Sequence, residues 1–491
     1  MKKLNNKKMI IIWVIVAIII LIGIGIGTYF ILKDEYKLTV EEKEWITKNI
    51  DAVQNVNVPN NIDIFGSQGS GVLYDFLTDL EQEYSIKINK ITYNIGEEVG
   101  EGSFKSVYEP SKDDIIFYKG HYVIISKGKK NISSITQLAN KQVGILASDE
   151  NRINQYLNSV SNTLVNVYDT STSLLEAVNS EEKIEFAIIP LEENLTSILT
   201  SNYYIDYHIS DLNKYIVYDM KQNDTFSNII KKYAHKWEEE KLTESINKNE
   251  LETFVKALSI SAKEITNIQA KRYSYGFINN SPYEILSGGN YGGIVSEYLT
   301  RFSNFSNVEF TSTRYKSFSK FTEAIANKKV DIFYNYYNLD SKYEEIDSLM
   351  NINFVVVAKE DNDLIINSIS SLTDQEVYVQ KNSLLEKNMT SLGGINLKNY
   401  ENEKELKKAA KKGKILLLDK QVYEYYRKSF LSTYSIRYSN TLADTYNFYV
   451  KGSDTFKLLF NKYIQTLDPQ EIIIKGKIGR AHVWTPVTSL S

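Results

Sequence analysis

Apolar positions recur along the chain with two spacings, and the two spacings alternate. Residues 61–65, 86–93, 142–146 and 186–189 are short apolar or alternating stretches that predict strands. Between the first two, residues 72–84 carry apolar side chains at helical spacing. Strands that alternate with helices indicate parallel sheets covered by helices, so the predicted fold class is α/β.

The same alternation starts again near Arg272 and runs in the same order. It predicts an internal duplication of about 200 residues, with a first domain at 57–258, a linker at 259–270 and a second domain at 271–475. Ahead of the first domain, Thr39 is followed three residues later by Glu42, which predicts a capping box and a helix. We assign this leading helix and its linker to residues 38–56.

An uncharged apolar run at residues 9–32 follows four lysines within a basic stub at 1–8. About 20 helical residues span a bilayer, and lysines resist translocation. The run therefore predicts an N-terminal transmembrane helix with a cytoplasmic N-terminus and an extracytoplasmic bulk, located in the cell membrane. A cleavable signal peptide is the alternative, but its apolar core is usually shorter and residues 28–32 make a poor cleavage site.

The composition excludes several kinds of functional site. The chain has no cysteine, which excludes disulfides, thiol catalysis and thiolate metal sites. With a net charge of −4, the chain has no overall positive potential that would attract nucleic acid. The four histidines are not at metal spacing, and no catalytic motif is present. We therefore expect no enzyme activity, no catalytic or metal-binding residue and no cofactor.

The last residues, 479–491, differ in composition from the rest of the chain. They place an arginine, a histidine, a tryptophan and a proline in one short run. We interpret them as a non-native tail resembling translated adapter sequence, with a genuine tail as the alternative. On this interpretation the native protein continues after about Lys477.

Several motifs occur in the same order in both copies and carry a family resemblance. In the second copy, Tyr275-Gly276-Phe277 is followed by the Pro-aromatic turn Pro282-Tyr283, the Gly-Gly helix start Gly292-Gly293 and a strand led by Val330-Asp331, the Val-Asp strand. Residues 370–379 resemble the start of a second lobe, and residues 133–145 repeat that pattern in the first copy. Over about 38–475 the chain resembles tandem family 3 solute-binding proteins of the periplasmic-binding-protein-like type II fold, in their membrane-anchored sensor form. The resemblance implies two tandem bilobal domains after the transmembrane helix.

The resemblance also implies a set of ligand-binding residues in the second copy. Tyr283 would pack on the ligand, Asp419 would pair with an amino group, and helix N–H groups at Asn382 and Ser383 would take a carboxylate. For each there is a structural alternative: Tyr283 packing on its own lobe, Asp419 capping the following helix, and Asn382 with Ser383 forming an ordinary N-cap.

The family's amino-acid binders carry an arginine soon after the Val-Asp strand, and this chain does not. The segment there contains Asn335, Tyr336 and Lys342, and lysine is a poor substitute for a bidentate clamp. We therefore expect a neutral or cationic small-molecule solute stacked on tyrosines, in preference to an acidic amino acid. The first copy departs further from the family and is interpreted as a degenerate spacer or dimerisation module.

The predicted function is an extracytoplasmic solute-binding sensor region of a membrane signalling protein. In similar proteins a cyclic-dinucleotide cyclase or a histidine kinase follows as the output. One alternative is a tethered binding component of an ABC uptake system, with a permease as partner. A second is a structural or dimerisation module, forming a homodimer, whose crevice binds nothing.

Overall fold

The computed structural model describes residues 36–478, except 131, 181–183, 202 and 340, together with residues 488–489. The predicted stub at 1–8, the anchor at 9–32 and most of the tail at 479–491 lie outside the described residues, so these assignments stay predictions. Within the described part of the chain, every helix is too short or too polar to cross a bilayer.

The described residues alternate between helices and strands, which confirms the α/β class. The helices are α1 (Val40–Lys48), α2 (Val72–Tyr84), α3 (Glu150–Leu157), α4 (Ser171–Ser180), α5 (Leu191–Thr200), α6 (Thr225–Trp237), α7 (Thr243–Ala257), α8 (Ala262–Gln269), α9 (Ile294–Ser306), α10 (Phe318–Ala326), α11 (Leu384–Leu392), α12 (Glu403–Lys411), α13 (Lys420–Tyr426), α14 (Asp454–Thr466) and α15 (Pro469–Ile478). The strands are β1 (Val53–Pro59), β2 (Asn61–Ile62), β3 (Gly66–Ser67), β4 (Lys87–Tyr93), β5 (Ser103–Val107), β6 (Ile115–Ser126), β7 (Gln142–Leu146), β8 (Leu164–Tyr168), β9 (Phe186–Pro190), β10 (Tyr204–Asp219), β11 (Arg272–Phe277), β12 (Ile285–Ser287), β13 (Asn290–Gly292), β14 (Glu309–Arg314), β15 (Ile332–Tyr334), β16 (Glu344–Lys359), β17 (Glu376–Gln380), β18 (Asn396–Tyr400), β19 (Ile415–Asp419), β20 (Tyr434–Val450) and β21 (Thr488–Ser489).

The chain forms two compact units. The first contains the described residues up to Lys119 together with Lys214–Asn249, and the second contains Gly120–Asn213 and the residues from Glu250 onward. The predicted domain boundaries, 38–56, 57–258, 259–270 and 271–475, stay predictions.

In the first unit, β1 pairs in parallel with β4 and β5, and β5 pairs in antiparallel with the end of β10. The predicted capping box at Thr39 and Glu42 is confirmed at the start of α1. Of the predicted strand at 61–65 only Asn61–Ile62 is a strand, β2, because Phe65 N donates to the Ile62 carbonyl at 3.0 Å in a turn. The longer strand lies just before it, in β1, whose polar residues alternate with the buried Val56 and Val58.

The second unit holds a nine-stranded sheet in the order β18-β17-β19-β16-β20-β15-β11-β14-β21. Its two longest strands, β16 and β20, are antiparallel and join a half containing β17, β18 and β19 to a half containing β11, β14 and β15. Their pairing has register irregularities between Asp347 and Asn353. We call β16 and β20 the hinge strands, because in the described part of the chain they are the strands that join the two halves of this sheet.

The order of strand pairing occurs twice in the chain. The pairings β4-β1-β5-β10 in the first unit match β14-β11-β15-β20, and the pairings β6-β9-β7-β8 in the second unit match β16-β19-β17-β18. The glycines that precede α2 and α9 also match. Gly71 has φ +120° and Gly293 has φ +107°, and a Cβ atom would lie 2.6 Å from the Phe65 carbonyl oxygen in one case and 2.5 Å from that of Tyr283 in the other.

Candidate functional site

The elements around the hinge of the nine-stranded sheet bring several of the predicted residues together. Tyr283 lies in the turn after β11, which is held to the start of α9 by bonds from Ile294 N to the Pro282 carbonyl and from Val295 N to the Tyr283 carbonyl, both 3.0 Å. Asp419 is the last residue of β19. Both side chains are buried, at 1% and 2% exposure. The local chain path therefore places both side chains in the interior of the second unit.

Three tyrosine rings and one carboxylate form what we call the aromatic–carboxylate cluster: Tyr283, Tyr336, Tyr446 and Asp419. The Tyr283 ring centroid lies 5.1 Å from that of Tyr336 and 5.2 Å from that of Tyr446. The Tyr336 and Tyr446 rings are stacked, with centroids 5.5 Å apart. Tyr446, on β20, was not among the predicted site residues. Its position in a long crossing strand gave no local motif from which to infer a role.

Four donors bond to the Asp419 carboxylate, and the backbone N–H of Val422 is one of them. Its carboxylate accepts from Gln421 N at 2.7 Å and from the Tyr446 hydroxyl at 3.0 Å, and the Tyr283 hydroxyl also bonds to it. The helix-cap alternative for Asp419 is therefore confirmed, and the same side chain also belongs to the cluster. Burial raises the pKa of Asp419 to about 6, and the hydrogen bonds only partly offset this rise. Burial likewise holds the pKa values of the three tyrosines well above their ordinary range, so their hydroxyls stay protonated donors.

The segment after β15 is fastened to the segment after β17 by hydrogen bonds that we call the latch. Asn338 N donates to the Asn382 carbonyl at 2.7 Å, and Leu384 N donates to the Tyr336 carbonyl at 3.1 Å. The Tyr336 hydroxyl donates to Gln380 Oε1 at 3.2 Å, while Gln380 Nε2 donates to the Tyr337 hydroxyl at 2.9 Å. The latch holds the two halves of the sheet together directly beside the cluster.

The amide groups expected to take a carboxylate are used within the chain. Asn382 N donates to the Glu386 carboxylate, and Ser383 N donates to the Gln380 carbonyl at 3.3 Å. The Ser383 hydroxyl accepts from Glu386 N at 3.1 Å, so the ordinary N-cap alternative is confirmed. In this arrangement the two N–H groups bond to Glu386 and Gln380 within the chain. The ligand-binding role of Asn382 and Ser383 stays a prediction.

The other two predicted residues take different positions. Asn335 is buried, and its side-chain oxygen accepts from Asn447 N at 2.7 Å, which fixes β15 against β20. Lys342 is exposed, whereas Tyr343 beside it turns inward and donates to the Val330 carbonyl at 2.7 Å. Of the predicted set, the structure thus brings Tyr283, Tyr336 and Asp419 into the cluster, with Asn382 and Ser383 at the latch.

Sequence reasoning missed a basic residue near this site. Arg314 ends β14 and lines a cavity of about 480 Å³ together with Asn280, Gln380 and Tyr400. A signal for it exists in the sequence, because Arg314 directly follows residues 308–313, which have a strand-like pattern. The carboxyl ends of parallel strands are where ligands bind in open α/β sheets. Among the described residues, no three His, Asp or Glu side chains lie where they could hold a metal ion.

No family model matches the sequence, and no curated protein matches it. Among solved structures, one titled "Structure of VC protein" is similar at 15% identity and a TM-score of 0.50, over 86% of this chain and 100% of that chain. At this identity the likeness shows the fold alone. The B. pertussis BvgS periplasmic domain is similar at 11% identity and a TM-score of 0.37, over 90% of this chain and 93% of that chain. The substrate binding protein of an amino acid ABC transporter is similar at 16% identity and a TM-score of 0.35, over 42% of this chain and 99% of that chain. We draw no conclusion from the last two likenesses, given their low TM-scores.

Proposed function

We propose that this chain is the extracytoplasmic sensor region of a membrane signalling protein, built from two tandem bilobal solute-binding domains behind an N-terminal anchor. Support for the tandem arrangement is the strand-pairing order that occurs twice and the matching glycines at Gly71 and Gly293. Support for the anchor is the uncharged run at 9–32 behind four lysines. The resemblance in the order of motifs supports the sensor class.

The aromatic–carboxylate cluster is the observation that carries the proposed ligand class. Asp419 is a buried carboxylate with a raised pKa, so its ionised form is held at a free-energy cost. A cationic group placed beside it would remove that cost, and the faces of Tyr283, Tyr336 and Tyr446 would add cation–π attraction. The cluster thus favours a small cationic solute, with a neutral stacking solute next.

Binding at the cluster has to open the latch. The cavity beside Asp419 and Tyr283 measures about 40 Å³, which is room for water but not for a solute. A ligand that favours an arrangement with the latch open shifts the population towards it. The hinge strands β16 and β20 would carry this change between the halves, which is how solute binding would become a signal.

Calorimetry on the full chain in detergent tests the ligand class. The probes are the diamine putrescine, which carries no carboxylate, and its uncharged diol analogue. We expect putrescine to bind more tightly than the diol, and Asp419→Ala to weaken putrescine binding by well over tenfold, because loss of a buried charge partner costs about 2–5 kcal/mol. The control Asp444→Ala removes an exposed carboxylate from the same sheet and should leave the affinity unchanged. Equal affinity in wild type and Asp419→Ala would refute the proposal.

Two further measurements test the location and the class. External protease on intact protoplasts should digest the region after about Lys33, while the protein stays bound to the membrane beforehand. A mature N-terminus near Tyr36 would contradict the anchor. The gene beyond the codon for Lys477 separates sensing from uptake: a second apolar run with a signalling domain supports the sensor, and a stop codon beside permease genes supports the uptake alternative.

A further inference from the structure

Two histidines lie where the two chain segments of the second unit meet, Gly120–Asn213 and the residues from Glu250 onward. His121 is on β6 and His208 is on β10. His121 Nε2 lies 2.7 Å from His208 Nδ1, and His208 Nε2 lies 2.9 Å from the carbonyl oxygen of Gln465 on α14. We call the two imidazoles and this carbonyl the histidine link, because they connect β6 and β10 to α14.

The chemistry of the three groups determines where the protons lie when both imidazoles are neutral. A carbonyl oxygen only accepts, so His208 Nε2 carries a hydrogen and donates it to Gln465. The other nitrogen of a neutral His208, Nδ1, is then an acceptor, so His121 Nε2 donates to it. Nδ1 of His121 is left for an added proton, and it lies 4.0 Å from a carboxylate oxygen of Glu192 on α5.

A first added proton leaves the histidine link intact. Glu192 is buried beside His121, and a Cβ atom at Gly120 would lie 2.4 Å from Glu192 Oε2, so the glycine makes room for this carboxylate. A carboxylate next to an imidazole favours its charged form. The first proton is therefore stabilised at His121 Nδ1, where it does not touch the bond between the two rings.

A second added proton breaks the link. Both imidazoles would then be cations, with two N–H groups facing each other across 2.7 Å and ring centroids 5.0 Å apart. Burial, and then the charge of His121, lower the pKa of His208 well below its ordinary value of 6.5. The stability that the link contributes is therefore fully present above about pH 6.5 and is lost as the pH falls through this lowered pKa.

The charged groups behind Glu192 do not produce such an acid-induced loss. Burial raises the pKa of Glu250, on α7, to about 8, with Arg301 partly offsetting the rise and Glu192 adding to it. A carboxyl with a raised pKa binds its proton more readily in the folded chain, so acid stabilises its surroundings. Arg301, on α9, stays charged at every pH considered.

His208 also lines the cavity of about 40 Å³ beside the aromatic–carboxylate cluster. The titratable groups that line this cavity with it are Asp206, Tyr207, Tyr283, Asp419 and Asp468. Burial raises the pKa of Asp206 and of Asp419 to about 6, so acid stabilises the surroundings of both. Burial also raises the pKa values of the two tyrosines, which therefore stay neutral. Opening of the link in acid would thus run against the titration of these buried carboxyls.

We propose that the histidine link is a proton-operated switch, which joins β6 and β10 to α14 while the pair holds at most one added proton and releases α14 when both imidazoles are charged. α14 packs against the hinge strand β16, so release would reach one of the strands that join the two halves of the sheet. The proposal depends on contacts within the second unit and not on which solute the cluster binds.

Hydrogen exchange of the full chain in detergent, measured by mass spectrometry at about pH 7 and about pH 4.5, tests the switch on peptides around His208 and Gln465. After correction for the intrinsic rates, we expect exchange in wild type to rise at least about tenfold in acid, because one pKa unit between the closed and open link is a factor of ten. His121→Gln should show a several-fold smaller rise, since an amide presents its N–H to a neutral His208 and, after rotation, its oxygen to a charged one.

Two further variants complete the test. His121→Leu removes the donor and should raise exchange already at about pH 7. His235→Gln is the matched control, because it removes a histidine on α6 of the first unit, and it should behave like wild type.

The proposal is overturned by equal exchange of wild type at the two pH values, by the same rise in wild type and His121→Gln, or by loss of the rise in His235→Gln. Should His121→Gln fail to fold, Glu192→Gln decides. Without this carboxylate the added protons are less stable, so the rise should move to lower pH in a pH series. A midpoint that stays in place or moves to higher pH would also overturn the switch. Putrescine binding enters none of these outcomes, so the test is independent of the proposed ligand class.

Discussion

Replacing Asp419 by Asn tests whether the cluster holds a carboxylate that is costly to ionise. Burial raises the pKa of Asp419 to about 6, whereas an unfolded chain has an aspartate pKa near 3.9. Between about pH 4 and pH 6 the folded chain therefore binds more protons than the unfolded chain. The stability contributed by this group is fully present below about pH 4 and is lost as the pH rises through about 6.

The magnitude follows from the shift. Two pKa units correspond to about 3 kcal/mol of folding free energy at pH values well above 6. Asparagine cannot ionise and still accepts from Gln421 N, but it offers one acceptor oxygen fewer to Tyr283 and Tyr446, which costs about 1 kcal/mol. We therefore expect Asp419→Asn to be about 2 kcal/mol more stable than wild type near pH 8, and about 1 kcal/mol less stable near pH 4.

Hydrogen exchange measured by mass spectrometry on peptides from β19, α13 and β20 gives the opening free energy of this part of the chain. The measured rates are corrected for the intrinsic exchange rate at each pH, which is taken from unstructured peptides. Asp444→Asn is the control, since it removes an exposed carboxylate from β20. The reasoning fails if the free-energy difference between Asp419→Asn and wild type is constant with pH, or if it favours the variant at low pH.

Three other substitutions test the fold and the latch. Gly293→Ala should destabilise the second unit by about 2–4 kcal/mol in urea unfolding, because its φ is +107° and the new Cβ would lie 2.5 Å from the Tyr283 carbonyl oxygen. Gly100 has open space around it, so Gly100→Ala is the control. An effect of Gly293→Ala as small as that of Gly100→Ala would contradict the prediction. Ser261→Ala should lower the free energy of unfolding by about 1 kcal/mol and raise amide exchange at the start of α8, since it removes the capping box there. Unchanged amide exchange would count against this prediction. Gln380→Ala removes two side-chain hydrogen bonds of the latch. It should tighten putrescine binding several-fold, because a closed resting state reduces the apparent affinity. Weaker binding would show that the solute does not have to open the latch.

Several features of the fold could be predicted because they depend on local pattern. Strands at 142–146 and 377–379 are short apolar runs, and the structure has β7 and β17 there. The capping box at Thr39 needs only two residues three positions apart. Strand β1 was missed, because three of its seven residues are polar and their pairing with β4 and β5 makes them part of a sheet.

The strands β10, β16 and β20 are also longer than the local sequence pattern predicts. The apolar run at 354–358 predicts only one end of β16, which extends from Glu344 to Lys359. Its first half alternates polar with buried residues and is held by β20, about a hundred residues later in the chain. A pairing between such distant segments leaves little trace in either segment alone.

By itself, the sequence determined the α/β class, the repeated order of elements and the presence of Tyr283, Tyr336 and Asp419 at the ends of strands, because hydrophobic period and motif order are local properties. The tertiary structure alone decided how these residues are used. Asp419 is both a helix cap and the anion of an aromatic cluster, and the amides at Asn382 and Ser383 are consumed within the chain. Arg314, rather than a residue after the Val-Asp strand, is the arginine that reaches the cavity. These outcomes depend on the register of strands far apart in the chain, and register is decided by the packing of the whole sheet.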